Sequence, residues 1–135
     1  MATILVIDDD PSFRDLLQLH LLSAGHQVHT AKDPEEGIRS LLEDSADLIL
    51  LDLDLPYLSG FEVLEALRSD PASQKIPIIV VTGRGDDEAY TRCHKIGVDG
   101  FLTKPLKKEQ LIKAVAETLV AHSGIGRSAG KPGTD

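Results

Sequence analysis

The sequence predicts an α/β protein in which helices cover both faces of a parallel sheet. Five short segments rich in β-branched residues alternate with five amphipathic segments along the 135 residues. The first and fourth of the short segments run without polar alternation, which is typical of strands buried on both sides. Repeated strand–helix units in one domain of this length favour an open parallel sheet.

The predicted strands are short, and each is followed by a change to helical spacing. They are Thr3–Asp8, Gln27–Ala31, Asp47–Asp52, Ile76–Thr82 and Phe101–Thr103.

Local start signals mark the predicted helices. Asp10-Pro11 and Asp33-Pro34 each place a capping acid before a proline, which is favoured at the first helical position. Ser59-Gly60 opens the third helix, and the fourth, over about Asp86–Ile96, has the weakest apolar side. The apolar stripes predicted to face the core are Phe13, Leu16, Leu17, Leu21 and Ala24; Ile38, Leu41 and Leu42; Val63, Leu64 and Leu67; Ala89, Tyr90, Cys93 and Ile96; and Leu111, Ile112, Val115, Ala116, Leu119 and Val120.

Composition restricts the classes of partner and compartment. A net charge of −8 and a pI near 5.0 disfavour direct binding to nucleic acid, which needs a basic face. The single cysteine, Cys93, excludes an internal disulfide and reads as a small core residue of the fourth helix. The N-terminus lacks a signal-peptide pattern, and no apolar run reaches the length of a membrane span. We therefore expect a soluble, cytoplasmic protein without a membrane partner.

Polar side chains stand where the predicted strands end. Asp8 and Asp9 follow the first strand, Asp52 ends the third, Thr82 ends the fourth, and Lys104 follows the fifth. Ligands of open α/β sheets bind outside the carboxyl ends of the strands, where the strand order reverses. The sequence therefore predicts that three carboxylates, a hydroxyl and an ammonium converge at one edge of the sheet.

Crowded carboxylates stay ionised together only where a positive charge offsets them. Oxygen ligands without nitrogen or sulfur suit Mg²⁺ and disfavour zinc, because no histidine or cysteine stands at a strand end. A magnesium site beside a lysine and a hydroxyl is typical of a site that handles phosphoryl groups. Asp10 is interpreted separately, as a helix cap before Pro11.

Four segments together resemble the bacterial response-regulator receiver domain over roughly Thr3–Val120. In chain order they are ILVIDDDPSFRDLL, DLILLDLDLPYLSGFEVLEALR, PIIVVTGRGD and GVDGFLTKPL. The resemblance implies a single (βα)5 flavodoxin-like, doubly wound sheet with strand order 2-1-3-4-5. We place the receiver domain at residues 1–122 and a flexible tail or linker at 123–135, whose glycine-rich composition lacks apolar periodicity. Whether the receiver acts alone or within a longer regulator stays open.

The resemblance also implies roles for the clustered residues. Asp52 would accept a phosphoryl group from the phosphohistidine of a sensor histidine kinase or a histidine phosphotransfer protein. Asp8, Asp9, Asp52 and the backbone carbonyl of Asp54 would hold Mg²⁺. A lysine and a hydroxyl would contact the phosphoryl group: Lys104 and Thr82.

The resemblance further implies a conformational switch and two positions that tune the lifetime of the phosphorylated form. Thr82 would move toward the phosphoryl group, Phe101 would turn inward, and the surface of the fourth helix, fifth strand and fifth helix would change toward an unknown downstream target. A phosphorylation-dependent homodimer through that surface stays open. Asp54 and Arg84 would tune the lifetime of the phosphorylated form, and our hypothesis is that they pair across the mouth of the site. A cis peptide bond is expected before Pro105.

Two other classes of function share part of this pattern. LILLDLDLP also resembles the nucleophile motif of haloacid-dehalogenase-type phosphatases, but those enzymes carry that motif on the first strand and the acid pair late, which is the reverse of the order here. A phosphorylation-independent interaction module would show a broken acid cluster, whereas this one is complete. We therefore expect no enzymatic turnover beyond self-phosphotransfer and self-dephosphorylation.

Leu19 and Leu22 fall off the main apolar stripe of the first helix. In receiver domains this helix commonly docks the helical domain of the kinase, and an exposed apolar patch would fit that use. The alternative, that they pack under a neighbouring loop, stays open on sequence alone.

Overall fold

The computed structural model describes residues 2–54, 59–83 and 85–122. Strands and helices alternate through them. In chain order the elements are β1 (Thr3–Ile7), α1 (Pro11–Ser23), β2 (Gln27–Ala31), α2 (Pro34–Glu43), β3 (Leu48–Asp52), α3 (Gly60–Ser69), β4 (Ile78–Thr82), α4 (Asp87–Ile96), β5 (Gly100–Thr103) and α5 (Lys108–His122).

The strands form one parallel sheet in the order β2-β1-β3-β4-β5. This arrangement confirms the predicted fold class and strand order. The order reverses between β1 and β3, which lie side by side with Ile7 opposite Leu51. The carboxyl ends of these two strands are therefore adjacent, and β4 and β5 extend the same edge with Thr82 opposite Thr103.

Alternate residues of each buried strand point to opposite faces of the sheet. Leu5 and Ile7 of β1 pack in a core with α2, α3 and α4. Ile4 and Val6 of the same strand pack in a second core with α1 and α5. Helices therefore cover both faces, as the uninterrupted apolar strands predict. Cys93 is buried in the first of these cores, in agreement with its interpretation as a core residue.

The helices bury narrower stripes than the sequence pattern suggests. A helix that lies flat on a sheet touches it along one line only, so the flanking apolar residues reach solvent. In α1 only Leu17 and Leu21 are buried, and in α5 Thr118 is buried although it was not on the predicted stripe. The predicted stripe residues that are exposed instead are Leu16, Ala24, Leu42, Tyr90, Ala116 and Val120.

Side-chain caps fix the beginnings of three helices. Asp10 accepts hydrogen bonds from the backbone N–H groups of Ser12 and Phe13 at the start of α1. Asp33 does the same for Glu36 in α2, and Asp86 for Ala89 in α4. The two Asp-Pro starts are therefore confirmed, and the first of them holds α1 at the carboxyl end of β1.

Arg68 ties the amino-terminal side of β4 and β5 to α3, at the end of the sheet opposite the predicted site. Its guanidinium donates to the carbonyls of Gly97 and Ile76, each at 2.7 Å, and to the Asp99 carboxylate at 2.9 Å. Asp99 also lies 3.1 Å from Nε2 of His122 at the end of α5. Sequence reasoning did not find this network, because nothing in the spacing of its members marks it.

Within the described ranges, every helix is too short or too polar to cross a lipid bilayer.

Candidate functional site

The sheet topology brings three carboxylates together. Asp8 and Asp9 directly follow β1, and Asp52 is the last residue of the neighbouring β3. One carboxylate oxygen from each of the three lies within 4.8 Å of the others. Such a cluster of oxygen atoms, with neither nitrogen nor sulfur, is a candidate site for a hard divalent cation.

Asp8 is fully buried, with 0% of its surface exposed. Its Oδ1 accepts a hydrogen bond from the backbone N–H of Asp10 at 2.8 Å, whereas Oδ2 has no hydrogen-bond partner among the described residues. Burial raises the pKa of Asp8 to about 7; the Asp10 hydrogen bond opposes this rise and the nearby Asp52 carboxylate adds to it. The charge of Lys104 lowers the pKa of Asp8 only in part, so the ionised carboxylate is destabilised by its burial.

Mg²⁺ fits this donor set. The unpartnered Oδ2 of Asp8 is the one buried side-chain oxygen or nitrogen without a hydrogen-bond partner in the part of the chain that the structure describes. A buried polar atom without a partner indicates a missing ligand or ion. Two or three carboxylates with space for retained waters match the usual surroundings of Mg²⁺. The predicted contribution of the Asp54 backbone carbonyl stays a prediction.

Lys104 supplies the positive charge on the other side of Asp52. Its Nζ lies 3.2 Å from Asp52 Oδ1 and 3.4 Å from Asp54 Oδ2, and it stands 4.7 Å from the centre of the Phe13 ring. Burial lowers the pKa of Lys104, but the Asp52 and Asp54 carboxylates outweigh it and leave the pKa above its ordinary value. The peptide bond between Lys104 and Pro105 is cis, as the family resemblance implied.

Thr82 is buried at the end of β4, and its hydroxyl is hydrogen-bonded to Asp54. Its Oγ1 donates to Asp54 Oδ1 at 2.9 Å, and the backbone N–H of Gly83 donates to Asp54 Oδ2 at 2.7 Å. Burial favours a higher pKa for Asp54, but these hydrogen bonds and the Lys104 ammonium together leave the pKa below its ordinary value. Asp54 is therefore a carboxylate held on three donors beside the acid cluster.

Asp52 itself is 4% exposed, and it accepts two hydrogen bonds on one oxygen. Its Oδ1 receives the backbone N–H of Asp54 at 2.9 Å and the Lys104 ammonium at 3.2 Å. A carboxylate held in this way has a fixed orientation.

Phe101 lies on β5, half-buried against the core that contains α4. Its ring meets Tyr90 edge to face with the centroids 5.3 Å apart, and the tilted rings of Tyr90 and His94 have their centroids 4.3 Å apart. The predicted switch aromatic is therefore covered by a half-exposed residue of α4. Arg84, the predicted partner of Asp54, lies outside the described residues, so their pairing stays a prediction.

Sequence reasoning missed four contributors to this site. The backbone N–H groups of Asp10, Asp54 and Gly83 are invisible in a side-chain pattern. Phe13 was assigned to the apolar stripe of α1, although its position in the first turn, next to a strand end, was a signal that its ring faces the site. The predicted site residues other than Phe101 and Arg84 lie together. Asp8 and Asp9 cluster with Asp52, Lys104 contacts Asp52 and Asp54, and Thr82 contacts Asp54.

Comparison with known proteins agrees with this geometry. Residues 4–116 match the family model described as the response regulator receiver domain. The chain is 37% identical over 129 residues to the DNA-binding dual master transcriptional regulator RpaA of Synechocystis, which covers 96% of this chain and 54% of that protein. It is 32% identical to protein PilH of Pseudomonas aeruginosa over 88% of this chain and 98% of that one. The chain spans about half the length of the first curated relatives that it matches.

Solved structures show the same fold. The chemotaxis response regulator CheY4 of Vibrio cholerae superimposes with a TM-score of 0.79 at 30% identity, over 87% of this chain and 98% of that chain. A receiver-domain protein from Methanospirillum hungatei gives a TM-score of 0.82 at 27% identity, over 91% and 97% of the two chains. With the match to the family model, these likenesses establish that the chain belongs to the response regulator receiver domain family, the phospho-accepting signalling modules of two-component systems.

Proposed function

We propose that Asp52 accepts a phosphoryl group from the phosphohistidine of a histidine kinase or of a histidine phosphotransfer protein. The observation that carries the proposal is the setting of Asp52. Its carboxylate is almost fully buried between two further acids, Asp8 and Asp9, and the Lys104 ammonium at 3.2 Å. An oriented carboxylate beside a cation is suited to attack phosphorus, whose oxygens need neutralising charge.

The transfer is a displacement at phosphorus. An Asp52 oxygen forms a bond to phosphorus while the bond from phosphorus to the histidine nitrogen breaks. The electron pair of the broken bond remains on the imidazole of the donor, and the product on Asp52 is an acyl phosphate. Lys104 holds a phosphoryl oxygen in place and balances part of its charge. Mg²⁺ held by Asp8, Asp9 and Asp52 would supply the rest of the neutralising charge.

The new phosphoryl group changes the contacts of Thr82. It adds strong acceptor oxygens and up to about two negative charges next to a buried hydroxyl. Thr82 turns to donate to one of these oxygens, and Phe101 moves into the space that Thr82 leaves. Tyr90 covers Phe101, so the movement reaches the exposed face of α4. The α4–β5–α5 surface is thus one element with two arrangements, and phosphorylation shifts their populations.

Incubation with a small acyl-phosphate donor, followed by intact mass spectrometry, tests the proposed function. With Mg²⁺ the chain is expected to gain the mass of one phosphoryl group, and a chelator is expected to prevent the gain. The bond should hydrolyse in mild alkali, as acyl phosphates do. Sustained turnover of a phosphomonoester would indicate a phosphatase instead, and a chain that gains no mass would indicate an inert interaction module.

A docking surface for the donor lies on the outer face of α1. Leu16, Leu19 and Leu22 follow one another at helical spacing and are 41%, 63% and 50% exposed. We call these three residues the α1 patch. The same helix begins beside the acid cluster, where Phe13 contacts Lys104. A helical partner packed on the α1 patch would therefore reach toward Asp52, and exposed apolar side chains of this kind mark interaction surfaces.

Leu19→Ser is expected to slow phosphotransfer from a histidine kinase that phosphorylates the native chain by about tenfold or more, because it removes a central apolar contact. The rate with a small acyl-phosphate donor should not change, since that donor needs no docking surface. Both rates are measured by the mass gain with time.

The matched control is Leu42→Ser, which removes a 75% exposed leucine from α2 on the opposite face of the sheet. An equal loss of kinase-dependent transfer in Leu42→Ser would argue against the α1 patch. So would an unchanged rate in Leu19→Ser.

The downstream step is proposed to be a protein contact. The name of the Synechocystis relative describes a DNA-binding regulator, but the receiver segment here is strongly acidic overall, and phosphates repel such a surface. The switched α4–β5–α5 surface is where a target, or a second phosphorylated copy, would bind.

A further inference from the structure

The carboxylate of Asp54 contacts the hydroxyl and the ammonium that the proposed function assigns to a phosphoryl group on Asp52, and also a backbone N–H beside them. Oδ1 accepts the Thr82 hydroxyl at 2.9 Å, and Oδ2 accepts the Gly83 backbone N–H at 2.7 Å. The same Oδ2 lies 3.4 Å from Nζ of Lys104. In the unphosphorylated chain, the two oxygens of the Asp54 carboxylate are therefore already paired with a hydroxyl, a backbone amide and an ammonium.

We propose that the Asp54 carboxylate competes with the phosphoryl group for these donors. The carboxylate must release them before Asp52 can be phosphorylated. The proposal rests on the proposed function of Asp52. The Asp54 side chain thus slows phosphorylation and favours the inactive arrangement.

The competition follows from the number of hydrogens available. A hydroxyl and a backbone N–H carry one hydrogen each, so Thr82 and Gly83 cannot fully serve both a carboxylate and a phosphoryl oxygen. The incoming group is also negative, and it would stand close to an ionised carboxylate inside a partly buried site. The Thr82 movement of the switch thus requires its 2.9 Å bond to Asp54 to break.

Gly83 gives a second way to disturb Asp54 without changing its charge. A Cβ atom added at Gly83 would lie 3.3 Å from Oδ2 of Asp54, which is tighter than an ordinary contact. A methyl group there would push the carboxylate away from the Gly83 N–H while leaving the residue ionised. The absence of a side chain at Gly83 therefore lets the Asp54 carboxylate reach its hydrogen-bond donors.

The test measures phosphorylation rate with a small acyl-phosphate donor at saturating Mg²⁺, and affinity for beryllium fluoride as a non-reacting phosphoryl analogue. Asp54→Ala is expected to raise both by about tenfold, the usual scale for hydrogen bonds to a charged acceptor. Gly83→Ala is expected to raise both by a smaller factor, and to have no effect in an Asp54→Ala background. Asp15→Ala, which removes an exposed acid from α1, is the control and should leave both unchanged.

The outcomes separate competition from simple charge repulsion. If only net charge matters, Asp54→Asn and Asp54→Ala behave alike and Gly83→Ala has no effect, which overturns the proposal. A phosphorylation rate that is lower or unchanged in Asp54→Ala also overturns the proposal, and would make Asp54 a group that orients Thr82. Asp54→Asn, which preserves size but replaces one of the two acceptor oxygens with an NH2 donor, covers the case in which Asp54→Ala fails to fold. Competition then predicts that Asp54→Asn and the charge-neutral change Gly83→Ala both accelerate phosphorylation, whereas an unchanged Gly83→Ala overturns the proposal.

The two proposals fail in different ways. If the native chain neither gains phosphoryl mass nor binds beryllium fluoride, the proposed function is wrong. If the native chain does both and these variants do not accelerate it, only the competition is wrong.

Discussion

Asp52→Asn is expected to abolish phosphoryl uptake from any donor, with a loss of at least about a thousandfold, because it removes the only nucleophilic oxygen in the reaction. An amide of the same size replaces the carboxylate. It can still accept hydrogen bonds from the Asp54 N–H and the Lys104 ammonium, which now converge on Asp52 Oδ1. The fold should therefore persist, and the loss of phosphoryl uptake should come from the missing nucleophile and not from unfolding.

Intact mass after incubation with the acyl-phosphate donor and Mg²⁺ gives the result. Asp15→Asn serves as the matched control, because it removes one carboxylate from an exposed position on α1. The control should gain a phosphoryl group at the native rate. Uptake by Asp52→Asn at a substantial fraction of that rate would mean that a different residue accepts the group.

Asp8→Asn is expected to make the metal-free protein more stable at pH 8, by up to about 4 kcal/mol in free energy of unfolding. The native Asp8 carboxylate is fully buried with an unpartnered oxygen beside Asp52. An amide in its place needs no charge compensation and can donate to the Asp52 carboxylate. The same change should greatly weaken Mg²⁺ binding, since it removes a charged ligand.

The pH dependence has a definite sign. The pKa of Asp8 is raised from 3.8 to about 7, so the folded state binds a proton that the unfolded state has released between those values. Stability of the metal-free native chain therefore falls as pH rises from about 4 to about 7, and this loss is complete above that range. Asp8→Asn should remove this part of the pH dependence. Mg²⁺ affinity of the native chain should rise over the same interval, because the ion competes with the Asp8 proton.

Chemical denaturation at several pH values, with and without Mg²⁺, measures these effects. A metal-free native chain whose stability is flat or rises between pH 4 and 7, after subtraction of the Asp8→Asn curve, would contradict the argument. Unchanged Mg²⁺ affinity in Asp8→Asn would place the metal elsewhere.

The strand ends were the part of the site most readable from sequence. Asp8, Asp9 and Asp52 end buried apolar runs, and parallel strands must present those ends at a common edge. Their proximity in the structure follows from that constraint together with the adjacency of β1 and β3.

The contacts of Asp54 could not be read in the same way. Its distance of two residues from Asp52 places it near the site, but its hydrogen bonds with Thr82 and Gly83 depend on loop geometry that no sequence period describes. Likewise, Leu42 and Tyr90 lie at core spacing on their helices and are nevertheless exposed, because how widely a helix is covered depends on neighbours distant in sequence.

Locating the phosphoryl group tests directly whether Asp52 is the acceptor. Reduction of the acyl phosphate with borohydride converts the modified aspartate to homoserine, and peptide mass spectrometry identifies its position. We expect the native chain, treated with an acyl-phosphate donor and Mg²⁺, to be reduced at residue 52 alone. Modification at Asp54, Asp8 or Asp9 in place of Asp52, or loss of the phosphoryl group without any reduced aspartate, would contradict this expectation.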